Sequence, residues 1–336
     1  MALGRAAGLG RNVLRAVGRR LASGILTLLL LTALVFALVQ LAPGSPIAET
    51  EDAGLARMPP EAQAELERLY HLDQPIHRQY GLWLASLLHG DLGVSFHDRR
   101  PVAVKVRERL GTTVSLNVAA LAISVLLAVP LGALAAWRPG SWLDRSIGLS
   151  TYLVHALPAF CGAMLLQLTF SVHLGWLPLA GLASEVGSTG GMLATAADRV
   201  RHMLLPIACL SYGSVAFLSR FVRATLLEHA SAESTLAARA RGLSPLAAFV
   251  RHGFRLAAIP MLTLAGLLLP ALVGGSVLVE SIFAVPGLGR LFVDAALQRD
   301  LPVLLGLTLL AGGATLVGIV VSDVAYSLAD PRLRRG

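Results

Sequence analysis

Lys105 is the only lysine in the 336-residue chain, so it is the first residue to test for nucleotide chemistry. A phosphate-cradling loop of the form G-x-x-x-x-G-K-[ST] needs glycine immediately before its lysine, and Val104 stands there instead. No H-E-x-x-H, G-x-S-x-G or C-x-x-C occurs, which removes the recognisable zinc-protease, serine-hydrolase and dithiol signatures. Cys161 and Cys209 each lie inside an apolar run and read as small packing residues rather than as a bridge or metal pair. The nine histidines are dispersed, and His71, His77, His89 and His97 share one polar segment at spacings that match no compact metal site. His155, His173 and Asp323 lie in or beside long apolar stretches. There an ionisable group either lines a polar path or is settled by one hydrogen bond or by interfacial water. No catalytic, cofactor-binding or metal residue is assigned.

The elements that hold these residues follow from composition. The chain is 55% hydrophobic and 14% charged, against about 25% charged in a soluble domain. The apolar residues form blocks of roughly 20 instead of short amphipathic stripes, which points to a bilayer as solvent. Six blocks, at 21–41, 113–136, 147–173, 203–221, 259–279 and 302–328, can each cross about 30 Å of hydrocarbon as a helix. Pro130, Pro158 and Pro270 fall inside three of them and predict kinks, while Pro206 is placed in the first turn of the fourth. The fold class is therefore an all-α integral membrane protein with six transmembrane helices.

Charge sets the expected orientation. Arg5, Arg11, Arg15, Arg19 and Arg20 precede the first span, which is too long for a cleaved signal and has no A-x-A site after it, so it reads as an anchor with a cytoplasmic amino end. The amino tail, the 137–146 and 220–258 loops and the carboxyl end from Asp323 hold 16 of the 28 basic residues and 5 of the 20 acidic ones. That asymmetry puts both termini in the cytoplasm. Arg199 and Arg201, on the outer side, run mildly against it. The net charge of +8 is mostly this orientation signal, and no nucleic-acid motif accompanies it.

Three segments between spans carry information. Residues 42–112 are too long and polar for a simple connection and predict an external helical subdomain with amphipathic stretches at 61–72 and 75–89, closed by the turn Asp91-Leu92-Gly93. In the cytoplasmic 220–258 loop, Glu228 to Arg241 is helix-like, Gly242 is placed to end it, and Ser244-Pro245 starts another helix. Arg239 and Arg241 flank the turn, and Ala237, Ala238 and Ala240 keep its surface small. Such a knob suits a groove on another protein, and the same residues also suit a solvated positive-inside loop. Glu280 ends the fifth span, and 283–290 reads as a Pro/Gly-rich outer turn that either holds a gate or closes a hairpin.

Taken in order, Leu72-Asp73-Gln74-Pro75, Gly90-Asp91-Leu92-Gly93-Val94-Ser95, Pro130-Leu131-Gly132, Gly140-Ser141-Trp142-Leu143-Asp144 and Leu174-Gly175-Trp176-Leu177-Pro178 form a pattern. It continues with Ala238-Arg239-Ala240-Arg241-Gly242-Leu243-Ser244, Ile259-Pro260, Val279-Glu280 with Pro286-Gly287-Leu288-Gly289-Arg290, and Asp330-Pro331-Arg332. Over nearly its whole length the chain closely resembles the inner-membrane permease subunits of ABC importers for dipeptides, oligopeptides and nickel. The resemblance implies that Ala238, Arg239, Ala240, Arg241, Gly242, Leu243 and Ser244 form the coupling loop that contacts a separate ATPase. It also marks Glu280, Pro286, Gly287 and Gly289 as the signature outer turn. Ser234-Thr235-Leu236 stands where these permeases carry a more aromatic and basic run, and 49–58 also diverges.

The implied partners are a second homologous permease, two ABC ATPase subunits that use the ATP and Mg, an external substrate-binding protein and membrane lipid. This chain binds no cofactor of its own. The implied division is a cytoplasmic basic tail at 1–20, the first transmembrane helix at 21–41, the external subdomain at 42–112, an ABC permease core with five transmembrane helices at 113–328 and a cytoplasmic tail at 329–336. The expected function is peptide transport across the bacterial inner membrane, with nickel or a metal chelate as the alternative cargo. Outside transport, the rivals are an intramembrane enzyme using His155, His173 or Asp323 and a receptor-like structural protein.

Overall fold

The computed structural model describes residues 2–41, 74–184, 191–230, 233–268, 271–274 and 276–329. Their regular structure is helical, and the only strand-like pairing among them is an isolated bridge between Val94 and Pro101. In chain order the helices are α1 (Ala2–Leu41), α2 (Ile76–Leu88), α3 (Val102–Trp137), α4 (Trp142–Ala156) and α5 (Ala159–Leu166), which runs into a π-helical turn, Gln167–His173. Then come α6 (Gly191–Ala230), α7 (Glu233–Ala240), α8 (Pro245–Ala248), a second π-helical turn at Phe249–Gly253, and α9 (Phe254–Leu268). The last four are α10 (Ala271–Gly274), α11 (Val277–Ile282), α12 (Leu288–Leu297) and α13 (Leu301–Ala329).

Among the described residues, four helical stretches, Gly18–Leu41, Val102–Trp137, Gly191–His229 and Leu301–Val321, are long and apolar enough to cross a membrane. α4 with the α5 arm passes the same test as a pair bent by 97°. The expected fifth span falls on α9 and α10, and its Pro270 lies outside the described residues. So does the amphipathic stretch at 61–72, whereas the one at 75–89 is α2.

Two boundaries differ from expectation for one reason. α3 begins at Val102 and α6 at Gly191, each more than ten residues before its apolar block, because helical hydrogen bonding continues past the edge of the hydrocarbon. Pro206 is consequently in the interior of α6, not in its first turn. Pro130 also sits in an unbroken helix, and Pro158 marks a break.

The chain divides into two compact units, residues 1–111 with 287–316, and 112–286 with 317–336. In the first, Val102, Val106, Leu291, Val303, Leu304 and Leu307 form the main core. A second cluster seats α2 on α1 through Phe36 and Tyr80, whose rings meet edge-on at 5.4 Å. α1 and α13 notch into each other: a Cβ at Gly24 would meet Leu316, and one at Gly312 would meet Leu28. Without a hydrophobic drive between helices in lipid, such small-residue notches supply the packing.

The second unit is organised by α6, against which α4, α5 and α9 all pack. α3 approaches α6 closely at Gly132, where a Cβ would lie 2.5 Å from the Ser219 carbonyl oxygen. Ser124 and Ser211 on the same two helices turn their hydroxyls toward the facing backbone carbonyls of Ser211 and Ala120, at 3.4 and 3.2 Å. Both cysteines are free, and Cys209 is buried in this unit's core.

Candidate functional site

The 233–253 region is a helical knob whose turn is fixed by backbone hydrogen bonds. Leu243 N–H donates to the Ala238 carbonyl at 3.2 Å and Gly242 N–H to the Arg239 carbonyl at 3.0 Å, the paired bonds of a Schellman C-cap. Gly242 sits at φ +93°, a conformation that L side chains resist. α8 then starts on Ser244, whose hydroxyl accepts from Ala247 N–H, with Pro245 in the first position. Of the helix foreseen over 228–241, the described residues show the end of α6 and α7.

Ala238, expected on the outer surface, is instead fully buried, as is Ala248. Small side chains at these two points let α7 lie close to α8 and the π turn, which it contacts. The outer face carries Arg239, Ala240, Arg241, Gly242 and Ser244, together with Leu236, noted above only as part of a divergent run, and two residues that sequence reasoning passed over. Leu236, Leu246 and Val250 are 53%, 55% and 58% exposed. Their signal was present as apolar side chains in an otherwise polar loop. No carboxylate pairs with Arg239 or Arg241 among the described residues, and Arg241 Nε donates to the Ala237 carbonyl.

The knob is anchored through Phe249, the first residue of the second π turn. Its ring meets Trp137, the last residue of α3, edge-on at 5.3 Å, in a cluster with Val222, Leu226 and Ala257. Nearby in sequence, Asp144 in the first turn of α4 takes a bidentate ion pair from Arg223 of α6, at 2.6 and 2.7 Å. Asp144 also accepts from Gly140 N–H at 2.9 Å, which closes the Gly140-Ser141 turn onto the same carboxylate.

The signature outer turn is shorter than expected. Leu288, Gly289 and Arg290 already belong to α12, with Gly287 as its N-cap. Glu280 lies within α11, fully buried, and accepts from the Thr113 hydroxyl at 3.0 Å. Its carbonyl accepts from Val285 N–H, and Ala284 at φ +50° completes the reversal before Pro286.

Lys105, excluded as a phosphate ligand, has a structural setting that sequence reading missed. Its ammonium lies 2.9 Å from Asp98, 3.0 Å from the Ser95 hydroxyl and 3.9 Å from Asp300. Ser95 donates a short hydrogen bond to Asp300, whose second oxygen accepts from Phe96 N–H. Partial burial pushes the Asp98 carboxyl up, but hydrogen bonds from Lys105, Ser95 and the Arg100 N–H and the Lys105 charge together hold it below the usual carboxylate range. Asp300 is some 200 residues away in sequence, so no local pattern could have paired it with Ser95.

A cleft of 380 Å³ in the second unit is lined by Asn117, Leu210, Ser214, Phe217 and Leu272, and Asn117 Nδ2 donates to the Leu272 carbonyl at 3.0 Å. His155 and His173 are exposed at the end of α4 and of the first π turn, and the Asp323 side chain lies outside the described residues. Among the described residues no three His, Cys, Asp or Glu side chains gather as a metal site.

These features define a multi-span helical membrane protein bearing an exposed helical knob. Comparison with known proteins carries the class further. Residues 128–335 match the binding-protein-dependent transport system inner membrane component family, and 13–117 match the N-terminal segment of such membrane components. The chain is 34% identical to the oligopeptide transport system permease AppB of Bacillus subtilis, over 94% of this chain and 98% of the relative. It is 37% identical to a putative peptide transport system permease of Brucella abortus (94% and 98%) and 33% identical to the oligopeptide permease OppB of Haemophilus influenzae (96% and 100%). Among solved structures, the MetNI methionine ABC transporter in an inward-facing conformation aligns with TM-score 0.49 at 18% identity, covering 68% of this chain and 97% of that one. The chain belongs to the family of inner-membrane components of binding-protein-dependent transport systems, and is a multi-pass ABC-importer permease.

Proposed function

We propose that this chain is one permease subunit of an ABC importer for short peptides, moved by ATP hydrolysis in separate subunits. The cargo assignment rests on the peptide and oligopeptide names of relatives that align over nearly its full length. The observation that carries the mechanism is the knob, where exposed Leu236, Leu246 and Val250 flank Arg239 and Arg241, which meet no carboxylate among the described residues, on a turn locked by its own backbone. An apolar patch rimmed by cations suits the groove of an ATPase subunit with acidic edges. In this reading the ATP and Mg stay with the ATPases, the termini and knob face the cytoplasm, and residues 42–112 form an external subdomain. The remaining partners are a second permease and a binding protein.

Closure of the ATPase pair would push on 236–250, and Phe249 would pass that movement to Trp137 at the end of α3. The bundle would then alternate between inward- and outward-facing arrangements. The test is Leu236→Asp combined with Arg239→Glu in the complete transporter. We expect ATPase subunits to be lost on purification and peptide uptake to collapse. Intact assembly with unchanged uptake would remove the knob from the mechanism.

A further inference from the structure

α4 has two unlike faces. Leu149, Leu153 and Leu157 recur every four residues along one side, while Asp144, Gly148, Thr151, Tyr152 and His155 fall within roughly a third of the circumference on the other, at about 100° per residue. Asp144 and Thr151 are buried, Asp144 on Arg223 of α6. Tyr152 is 62% exposed and His155 is exposed as well, three residues further on and therefore its surface neighbour. Fifteen residues of helix rise about 22 Å, so His155 stands about 20 Å from Trp142, within the apolar 147–173 block expected to cross the membrane.

One residue later the helix stops, and after Pro158 the chain resumes at 97°. Broken backbone at membrane depth persists only where protein or a water-filled cavity meets its polar groups. Protein meets part of this break. Tyr212 of α6 donates its hydroxyl to the Leu157 carbonyl at 3.1 Å, and its ring closes over Gly162, where a Cβ would lie 2.8 Å from the phenolic oxygen. Cys209 directs its thiol at the Ala159 carbonyl. The break is built into the bundle, and an exposed imidazole stands beside it, where contact with lipid would be costly.

We infer that Tyr152 and His155, presented at the α4–α5 break, form a water-reachable station of the solute path. The phenol and imidazole meet the amide N–H and C=O groups of an extended short peptide there. Both groups donate and accept, which suits backbone recognition that is indifferent to side-chain sequence, and exposed Phe160 beyond the break offers an apolar contact. The cargo in this inference rests on the peptide-permease reading.

The test uses the complete transporter in membrane vesicles, in a Cys161→Ser, Cys209→Ala background. His155→Cys, Tyr152→Cys and, as the apolar-face control, Leu153→Cys are each treated with a membrane-impermeant charged thiol reagent, with and without a saturating tripeptide. We expect positions 155 and 152 to label at least about tenfold faster than 153, and the tripeptide to slow them several-fold. Labelling at 155 and 152 no faster than at 153, or indifferent to tripeptide, would overturn the station. Tripeptide uptake by the background transporter is read separately: uptake with failed labelling sinks only the station, and absent uptake sinks the peptide reading. As an independent measure, His155→Ala should raise the KM for tripeptide uptake several-fold and His155→Gln should restore most of it; an unchanged KM counts against the inference.

Discussion

At the Lys105 cluster one ammonium, two carboxylates, a hydroxyl and a backbone N–H satisfy one another inside the first unit. At the 233–253 knob, Arg239 and Arg241 stand at the surface beside three exposed aliphatic side chains. In a chain with so few charges, these are opposite uses of charge. Saturated groups hold one stretch of chain to another, whereas exposed cations next to apolar surface suit, in the reading proposed above, a partner outside the chain. The Asp144–Arg223 pair belongs with the first kind, and the knob turn owes its shape mainly to backbone bonds, which leaves Arg239 and the three aliphatic side chains at the surface.

The contrast predicts that damage at one place is read as stability and at the other as assembly. Lys105→Met would leave Asp98 and the nearly fully buried Asp300 without their cation, a loss of about 3–5 kcal/mol by comparison with other broken buried pairs. It should lower the melting temperature of the purified permease by several degrees, and an unchanged melt would dissolve the distinction. Phe249→Ala should cost about 3–4 kcal/mol through the cavity left beside Trp137. Because this ring bridges knob and bundle, uptake should fall further than ATPase binding.

Leu236→Asp should leave the melt unmoved and weaken ATPase retention by about 2 kcal/mol, roughly thirtyfold, if it sits in a docking hot spot. Gly242→Ala forces a Cβ into the left-handed region at about 1–2 kcal/mol. Its effect should appear as local exchange of the 238–243 amides.

The smallest effect is with pH. Asp98 titrates lower in the folded protein than its ordinary 3.8. Its stabilisation is therefore fully present above that value and is lost only as pH falls through the lower, folded one. The melting difference between wild type and Asp98→Asn should stay constant from pH 8 to pH 5 and close in stronger acid.

Much of this architecture was legible because membrane spans and helix caps are local signals. Apolar blocks marked the spans, Gly242 marked the end of α7, and Ser244-Pro245 marked the start of α8. Helix ends at Val102 and Gly191 were not legible, since hydropathy reports the bilayer edge and not the last hydrogen bond. Ala238 was misplaced because a small residue serves equally at a surface or at a close helix approach, and only the fold decides. The Ser95–Asp300 and Tyr212–Leu157 contacts join residues far apart in sequence, and no spacing rule reaches across such distances. Pro130 and Pro158 look alike in sequence, each inside an apolar block, yet Pro158 breaks its helix and Pro130 does not.

Transport by a reconstituted complex addresses the proposal most directly. The chain is assembled with its second permease and ATPases in proteoliposomes, supplied with binding protein and labelled tripeptide, and compared with the Leu236→Asp, Arg239→Glu variant. ATP-dependent accumulation by wild type, lost in the variant together with its ATPase subunits, is the predicted result. Equal accumulation by both, or accumulation driven by this chain with no ATPase present, would contradict it.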